Sequence, residues 1–150
     1  MSELKVGDKA PDINGIDQYG KNISLSDFIS KKVVLYFYPK DSTPGCTAQA
    51  CNLRDNYELI KKAGYEILGV SIDSVASHEK FAVKNNLPFS LIADVSKEIV
   101  NNYGVWGEKK LYGKTYMGTN RITFIIDKKG QIERIITKVN TKDHASQILE

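Results

Sequence analysis

The residues best suited to chemistry in this chain are its two cysteines, Cys46 and Cys51, and the first of them closes the run Thr43-Pro44-Gly45-Cys46. An apolar, β-type run from Val33 to Tyr38 stops at Pro39 just upstream. Thr43 is a good helix N-cap and Pro44 has the fixed φ favoured at the first helical position, so Cys46 falls in the first turn of a helix. Unpaired backbone N–H groups and the positive end of the helix favour a negatively charged sulfur there. The thiolate is the form of cysteine that attacks, which makes Cys46 a candidate nucleophile. The competing reading is a buried structural thiol, the usual fate of a lone cysteine. A capped, glycine-flanked position is expected to be polar and open, and that favours the nucleophile.

The elements that must position Cys46 follow from the pattern around it. Turn residues Asp17, Gly20 and Asn22 between short apolar pieces suggest a β-hairpin within residues 12–25. Val33 to Tyr38 reads as a buried strand. From Cys46 to Lys62, Ala50, Leu53, Tyr57 and Ile60 recur at helical spacing, with Gly64 as a stop. Glu66 to Ile72 is a second apolar strand, and strand, helix and strand of this length imply a right-handed parallel crossover. Helices are expected over Ser77 to Asn85, Ser96 to Tyr103 and Asp143 to Leu149. Arg121 to Ile126 and Ile132 to Thr137, separated by Asp127-Lys128-Lys129-Gly130, read as an antiparallel hairpin. The expected fold is α/β: a thioredoxin-like three-layer sandwich with a central mixed β-sheet and an N-terminal β-hairpin. Cys46 then lies at the carboxyl end of the first parallel strand, where open α/β sheets bind their ligands.

Composition narrows the classes of function. With 150 residues, 41% hydrophobic and 26% charged, the chain can bury a core as one domain over residues 1–150 without disulfide or metal staples. The 21 Lys+Arg are interspersed with 18 Asp+Glu, which leaves no basic stripe for nucleic acid. No apolar leader opens the sequence and no run approaches a membrane span, so a cytoplasmic protein is expected. In that compartment two cysteines point to catalysis rather than to a structural bridge. His78 and His144 lie far from each other and from the cysteines in sequence, so no metal site is expected and both histidines are read as surface residues. No phosphate-binding glycine motif occurs, so no cofactor is expected. Trp106, Tyr112 and Tyr116 sit among glycines in a long loop, either as loop anchors or as the apolar wall of a substrate pocket.

The motifs resemble those of peroxiredoxins. Pro39-Lys40-Asp41-Ser42-Thr43-Pro44-Gly45-Cys46 matches a P-x-x-x-T-x-x-C signature, and Thr47-Ala48-Gln49-Ala50-Cys51 adds a second cysteine five residues on, as in the Q-type (bacterioferritin comigratory protein) subfamily. Tyr103 to Lys110, Tyr112-Gly113-Lys114 and Arg121-Ile122-Thr123-Phe124 resemble the same subfamily's second block, and the similarity runs from Gly7 to the C-terminal helix. The resemblance implies reduction of hydrogen peroxide and organic hydroperoxides, with Cys46 peroxidatic and Cys51 resolving through an intramolecular disulfide. It further implies that Thr43 hydrogen-bonds the sulfur and the peroxide and that Arg121 lends a fixed charge. Pro39 and Pro44 would shield a pocket to which Gly45, Gln49 and Trp106 also belong. A thioredoxin or similar dithiol would be the reductant, and the subfamily suggests a monomer. Gln49 departs from the glutamate common at that position, which keeps hydrogen-bonding reach but drops a charge. By position alone, Arg121 would be one more surface cation.

Two physical demands accompany that reading. Lowering a thiol's pKa raises its thiolate fraction, but with a Brønsted slope of about 0.4 to 0.5 most of the gain is lost in nucleophilicity. Large acceleration therefore needs donors aimed at the peroxide oxygens, and Thr43, Arg121 and the N–H groups near Gly45 and Cys46 are the candidates. If both cysteines share one regular helix, their Cα atoms are about 8.6 Å apart, beyond the ~7 Å limit for a disulfide, and the helix must unwind to close the bond. Two other functions share the fold: a dithiol oxidoreductase, which normally uses C-x-x-C where four residues intervene here, and a binding module with an unreactive Cys46.

Overall fold

The computed structural model describes residues 4–150; the reading of the extreme N-terminus at Met1 to Glu3 lies outside them. Among the described residues, the apolar run after Lys32 forms β3 (Lys32–Phe37), an inner strand of a seven-stranded sheet of order β2-β1-β5-β4-β3-β8-β9. β4 (Tyr65–Ser71) pairs parallel with β3, with Val34 opposite Ile67 and Leu35 opposite Leu68, and so forms the expected crossover. On the other side β8 (Ile122–Ile126) pairs antiparallel with β3, and β9 (Ile132–Ile136) antiparallel with β8. β1 (Asn14–Ile16) and β2 (Asn22–Ser24) make the N-terminal hairpin, whose turn is closed by Asp17 accepting from the Tyr19 and Lys21 N–H groups.

Alternation along β3 sends Val33, Leu35 and Phe37 to one face and Val34, Tyr36 and Tyr38 to the other. The first face packs on Phe124, Ile126 and the Ile99 and Val100 side chains of α4 (Glu98–Asn102). The second packs on four helices: α1 (Pro44–Asp55), α2 (Tyr57–Lys62), α3 (Val75–Asn85) and α5 (His144–Leu149). The result is the expected sandwich. Leu53 of α1 is wholly buried in that second core, and its truncation to alanine costs about 2–5 kcal/mol.

Three local features differ from the sequence reading. The helix expected over Cys46 to Lys62 is broken at Asn56, whose side chain donates to the Asn52 carbonyl one turn back and whose backbone leaves helical geometry (φ −111°, ψ 13°). An unforeseen short strand, β5 (Ser90–Ala93), extends the parallel part of the sheet beside β4. The stretch read as a long loop is a hairpin of β6 (Trp106–Leu111) and β7 (Lys114–Thr119), turned at Tyr112 and Gly113, both at positive φ. Among the described residues, no helix is long and apolar enough to cross a membrane.

Candidate active site

The loop between β3 and α1 is fixed before the helix begins. Asp41 takes a hydrogen bond from Tyr38 Oη (2.7 Å) and another from Ser77 Oγ (2.8 Å), and it lies 2.7 Å from His78 Nδ1. Its own N–H donates to Asp73 Oδ2 at 2.8 Å. Burial pushes the Asp41 carboxyl up, but the bonds from His78, Tyr38 and Ser77 outweigh it and hold the group below its ordinary 3.8. On its far side His78 Nε2 meets the Ile92 carbonyl at 3.0 Å, so the ring is held between two partners and the Asp41–His78 contact is a buried one. Ser42 then takes a left-handed φ of 63°, turning the chain into the Thr43 N-cap.

α1 starts at Pro44 as its sequence dictates, and its first intrahelical bond, Thr47 N to Thr43 O at 2.9 Å, leaves the Gly45 and Cys46 N–H groups without helical acceptors. Cys46 Sγ accepts a hydrogen bond from Arg121 Nη2 at 3.2 Å. Arg121 Nη1 donates to Gln49 Oε1 at 2.7 Å, so the guanidinium spans one turn of α1. Antiparallel register sets Ile122 opposite Phe37, which carries the preceding Arg121 to the carboxyl end of β3 where α1 begins. A Cβ on Gly45 would sit 3.2 Å from Arg121 Nη2, a tight spacing that would make the guanidinium give by a few tenths of an ångström.

Cys51 is on the same helix, five residues on, half-buried, and both cysteines are free thiols. The shared-helix case therefore applies, and a bond between them requires α1 to unwind. That segment is also tied to α5: Asn52 Oδ1 accepts from the Ala145 N–H at 2.8 Å and Asn52 Nδ2 donates to the Lys142 carbonyl at 3.2 Å.

Residues 6–135 match the family model for the AhpC/TSA family. This chain belongs to the AhpC/TSA family, the peroxiredoxins. Peroxiredoxin Bcp of Escherichia coli is 46% identical over 149 residues, 99% of this chain and 96% of that protein. Peroxiredoxin Bcp of Bacillus subtilis is 45% identical over 147 residues, 98% and 94% of the two chains. Among solved structures, PrxQ of Xylella fastidiosa superimposes with a TM-score of 0.92 at 29% identity over 99% of this chain and 95% of that one. The bacterioferritin comigratory protein of Xanthomonas campestris, described for its alkyl peroxide reduction activity, gives 0.85 at 36% over 91% and 87%.

Within this peroxiredoxin the expected site residues are placed unevenly. Cys46, Gly45, Gln49 and Arg121 come together. Thr43 holds the N-cap position, but its side chain makes no capping bond; Oγ1 donates to the Lys40 carbonyl at 2.8 Å. Pro44 is exposed at the helix start and Pro39 half-buried. Cys46 is only 2% exposed, which corrects the expectation of an open position, because it is part of the buried core that Tyr36, Tyr38 and Ala50 form between the sheet and α1. Trp106 packs against the core on the other face of the sheet, with Lys97 Nζ over its ring at 5.4 Å. Tyr112, at the hairpin tip, is almost wholly exposed.

The surface reading of the histidines also fails. His78 and His144 are both fully buried: His78 on Asp41, and His144 between Thr123 Oγ1 (2.8 Å) and Gln147 Oε1 (2.7 Å). Burial, with the Arg121 and Arg134 charges, holds His144 below its ordinary 6.5, against the opposing bond to Gln147. The sequence reading passed over Lys109 as well. Its Nζ donates to the Thr119 carbonyl at 3.0 Å, and burial first, then the charge of Arg121, lower its ammonium below the ordinary lysine value while the Cys46 sulfur opposes them. The hairpin β6–β7 thus brings a second cation into the field of Arg121 and Cys46.

Proposed function

We propose that this thiol peroxidase uses Cys46 as its peroxidatic thiol and Cys51 as its resolving thiol, with Arg121 as the charge that serves the first step. The observation that carries the proposal is the 3.2 Å contact from Arg121 Nη2 to Cys46 Sγ, with the same guanidinium braced on Gln49. A planar fork can hold a sulfur and an approaching oxygen together, as an ammonium cannot.

In the first step the Cys46 thiolate attacks the terminal oxygen of a hydroperoxide. The O–O bond breaks, an alkoxide or hydroxide leaves and takes up a proton, and the sulfur becomes a sulfenic acid. Negative charge grows on the departing oxygen, where Arg121 and the free N–H groups of Gly45 and Cys46 are the available donors, and Thr43 joins them once its hydroxyl turns from the Lys40 carbonyl. In the second step Cys51 loses its proton and attacks the Cys46 sulfur; the S–O bond breaks and water leaves. A dithiol of the thioredoxin type then reduces the disulfide by exchange. Hydrogen peroxide and organic hydroperoxides are the substrates, and a monomer in the cytoplasm, working as one domain without cofactor or metal, completes the proposal. Gln49 acts here as a neutral brace for Arg121, so a carboxylate is not needed for that contact.

Peroxide consumption by the reduced protein, with and without thioredoxin and its reductase, tests the assignment. Sustained turnover only with the dithiol donor is expected, and turnover that survives Cys46→Ser overturns it.

A further inference from the structure

Cys51 makes a contact that the chemistry above does not use. Its Sγ donates to Asn85 Oδ1 at 3.6 Å. The orientation of that amide is set independently, because Asn85 Nδ2 donates to the Phe81 carbonyl at 3.0 Å and leaves oxygen as the end that faces the thiol. Arg54 Nη1 donates to the Asn85 main-chain carbonyl at 2.8 Å, which binds the next turn of α1 to the same residue.

Asn85 ends α3, and His78 lies two turns earlier on the same helix. α3 therefore grips the redox segment on both flanks: Asp41 ahead of Cys46, and Cys51 with Arg54 behind it. The two grips are unequal. The Asp41–His78 contact joins side chains that are 3% and 0% exposed, whereas the grip on Cys51 is one weak S–H donor at the half-buried edge of the helix. An amide oxygen can only accept, so the bond to Cys51 lasts only while the thiol keeps its proton, and the attacking form must leave Asn85.

We infer that Asn85 is the positioning residue of the resolving thiol: its amide oxygen holds the Cys51 S–H against α3 and sets how fast the Cys46 sulfenic acid passes to the disulfide. The inference rests on the assignment of Cys51 as the resolving thiol. In the step it controls, the Cys51 proton goes to solvent, the Cys51–Cys46 S–S bond forms, the Cys46 S–O bond breaks and the hydroxide leaves as water. No further oxidant is required. The longer that step waits, the longer the sulfenic acid stands open to a second peroxide and to sulfinic acid.

The test mixes reduced protein with one equivalent of hydrogen peroxide, blocks free thiols at intervals and reads sulfenic acid and disulfide by intact mass. Asn85→Leu removes the acceptor at similar volume and should bring the disulfide on sooner, by about threefold or more, the scale of one weak hydrogen bond. Asn85→Asp keeps an acceptor but sets a negative charge where the thiolate must form, and should delay it by about the same factor. Asn85→Ala carries the same expectation as leucine with less bulk, should leucine disturb the fold. Equal conversion rates in all the proteins, or shifts of the same direction in the aspartate and the apolar variants, overturn the inference. A wild-type protein that forms sulfenic acid but no Cys46–Cys51 bond overturns instead the assignment on which it rests.

Discussion

Arg121 Nη2 donates to Cys46 Sγ at 3.2 Å across 75 positions of sequence, and the antiparallel register of β8 on β3 is what closes that gap. The same guanidinium reaches Gln49 Oε1, one turn along α1, so its plane is held by two acceptors on one helix face.

Replacing Arg121 by lysine keeps a positive charge but removes the fork that serves Cys46 and Gln49 together. Attack on peroxide should slow by about tenfold or more, about 1.4 kcal/mol or larger. Single-turnover kinetics of Cys46 oxidation measure this directly, and an unchanged rate constant would remove Arg121 from the first step.

Oxidation should loosen α1. Because the two cysteines cannot bond while both remain on a regular helix, backbone amides from Thr47 to Leu53 should exchange faster in the disulfide form than in the dithiol form. The Asn52 contacts to Lys142 and Ala145 belong to that segment, so the start of α5 should lose protection with it. Hydrogen exchange read by mass spectrometry checks both regions. Equal protection in the two redox states, with the disulfide present, would show that the bond closes without unwinding.

His144 gives the protein an acid-sensitive term. Its folded value is held below 6.5, chiefly by burial, so between about 6.5 and that lower value the unfolded chain binds the proton and the folded chain does not. Stability should therefore fall as pH drops below about 6.5. In His144→Asn, urea midpoints at about pH 7 and about pH 5.5 should lie closer together than in the wild type. A pH-dependent loss of the same size in both proteins would exclude His144 as its source.

Much of this was legible in the residues. Thr43, Pro44 and Gly45 mark the start of α1 because φ preferences and caps are local, and the apolar runs of β3, β4 and β8 mark buried strands by composition alone. The hairpin β6–β7 was not legible that way: its strands are rich in Lys, Gly and Thr and largely exposed, so no apolar alternation announces them. Its one local signal is Tyr112-Gly113, a two-residue turn at positive φ between strands. Missing the hairpin meant missing Lys109. Asp41 and His78 were out of reach for another reason, since a buried polar pair 37 positions apart in sequence is created by packing and leaves no periodic trace. Cys46 was placed correctly on its helix but its burial was not foreseen, because a cap motif says where a helix starts and nothing about what covers it.

The assignment of the two cysteines is tested most directly by titrating reduced wild-type, Cys46→Ser and Cys51→Ser proteins with stoichiometric hydrogen peroxide and reading intact mass. The wild type should lose two hydrogens as the Cys46–Cys51 bond forms, Cys51→Ser should consume one equivalent and gain a single oxygen, and Cys46→Ser should remain unchanged. A Cys46→Ser protein that still consumes peroxide at the wild-type rate would contradict the peroxidatic role of Cys46.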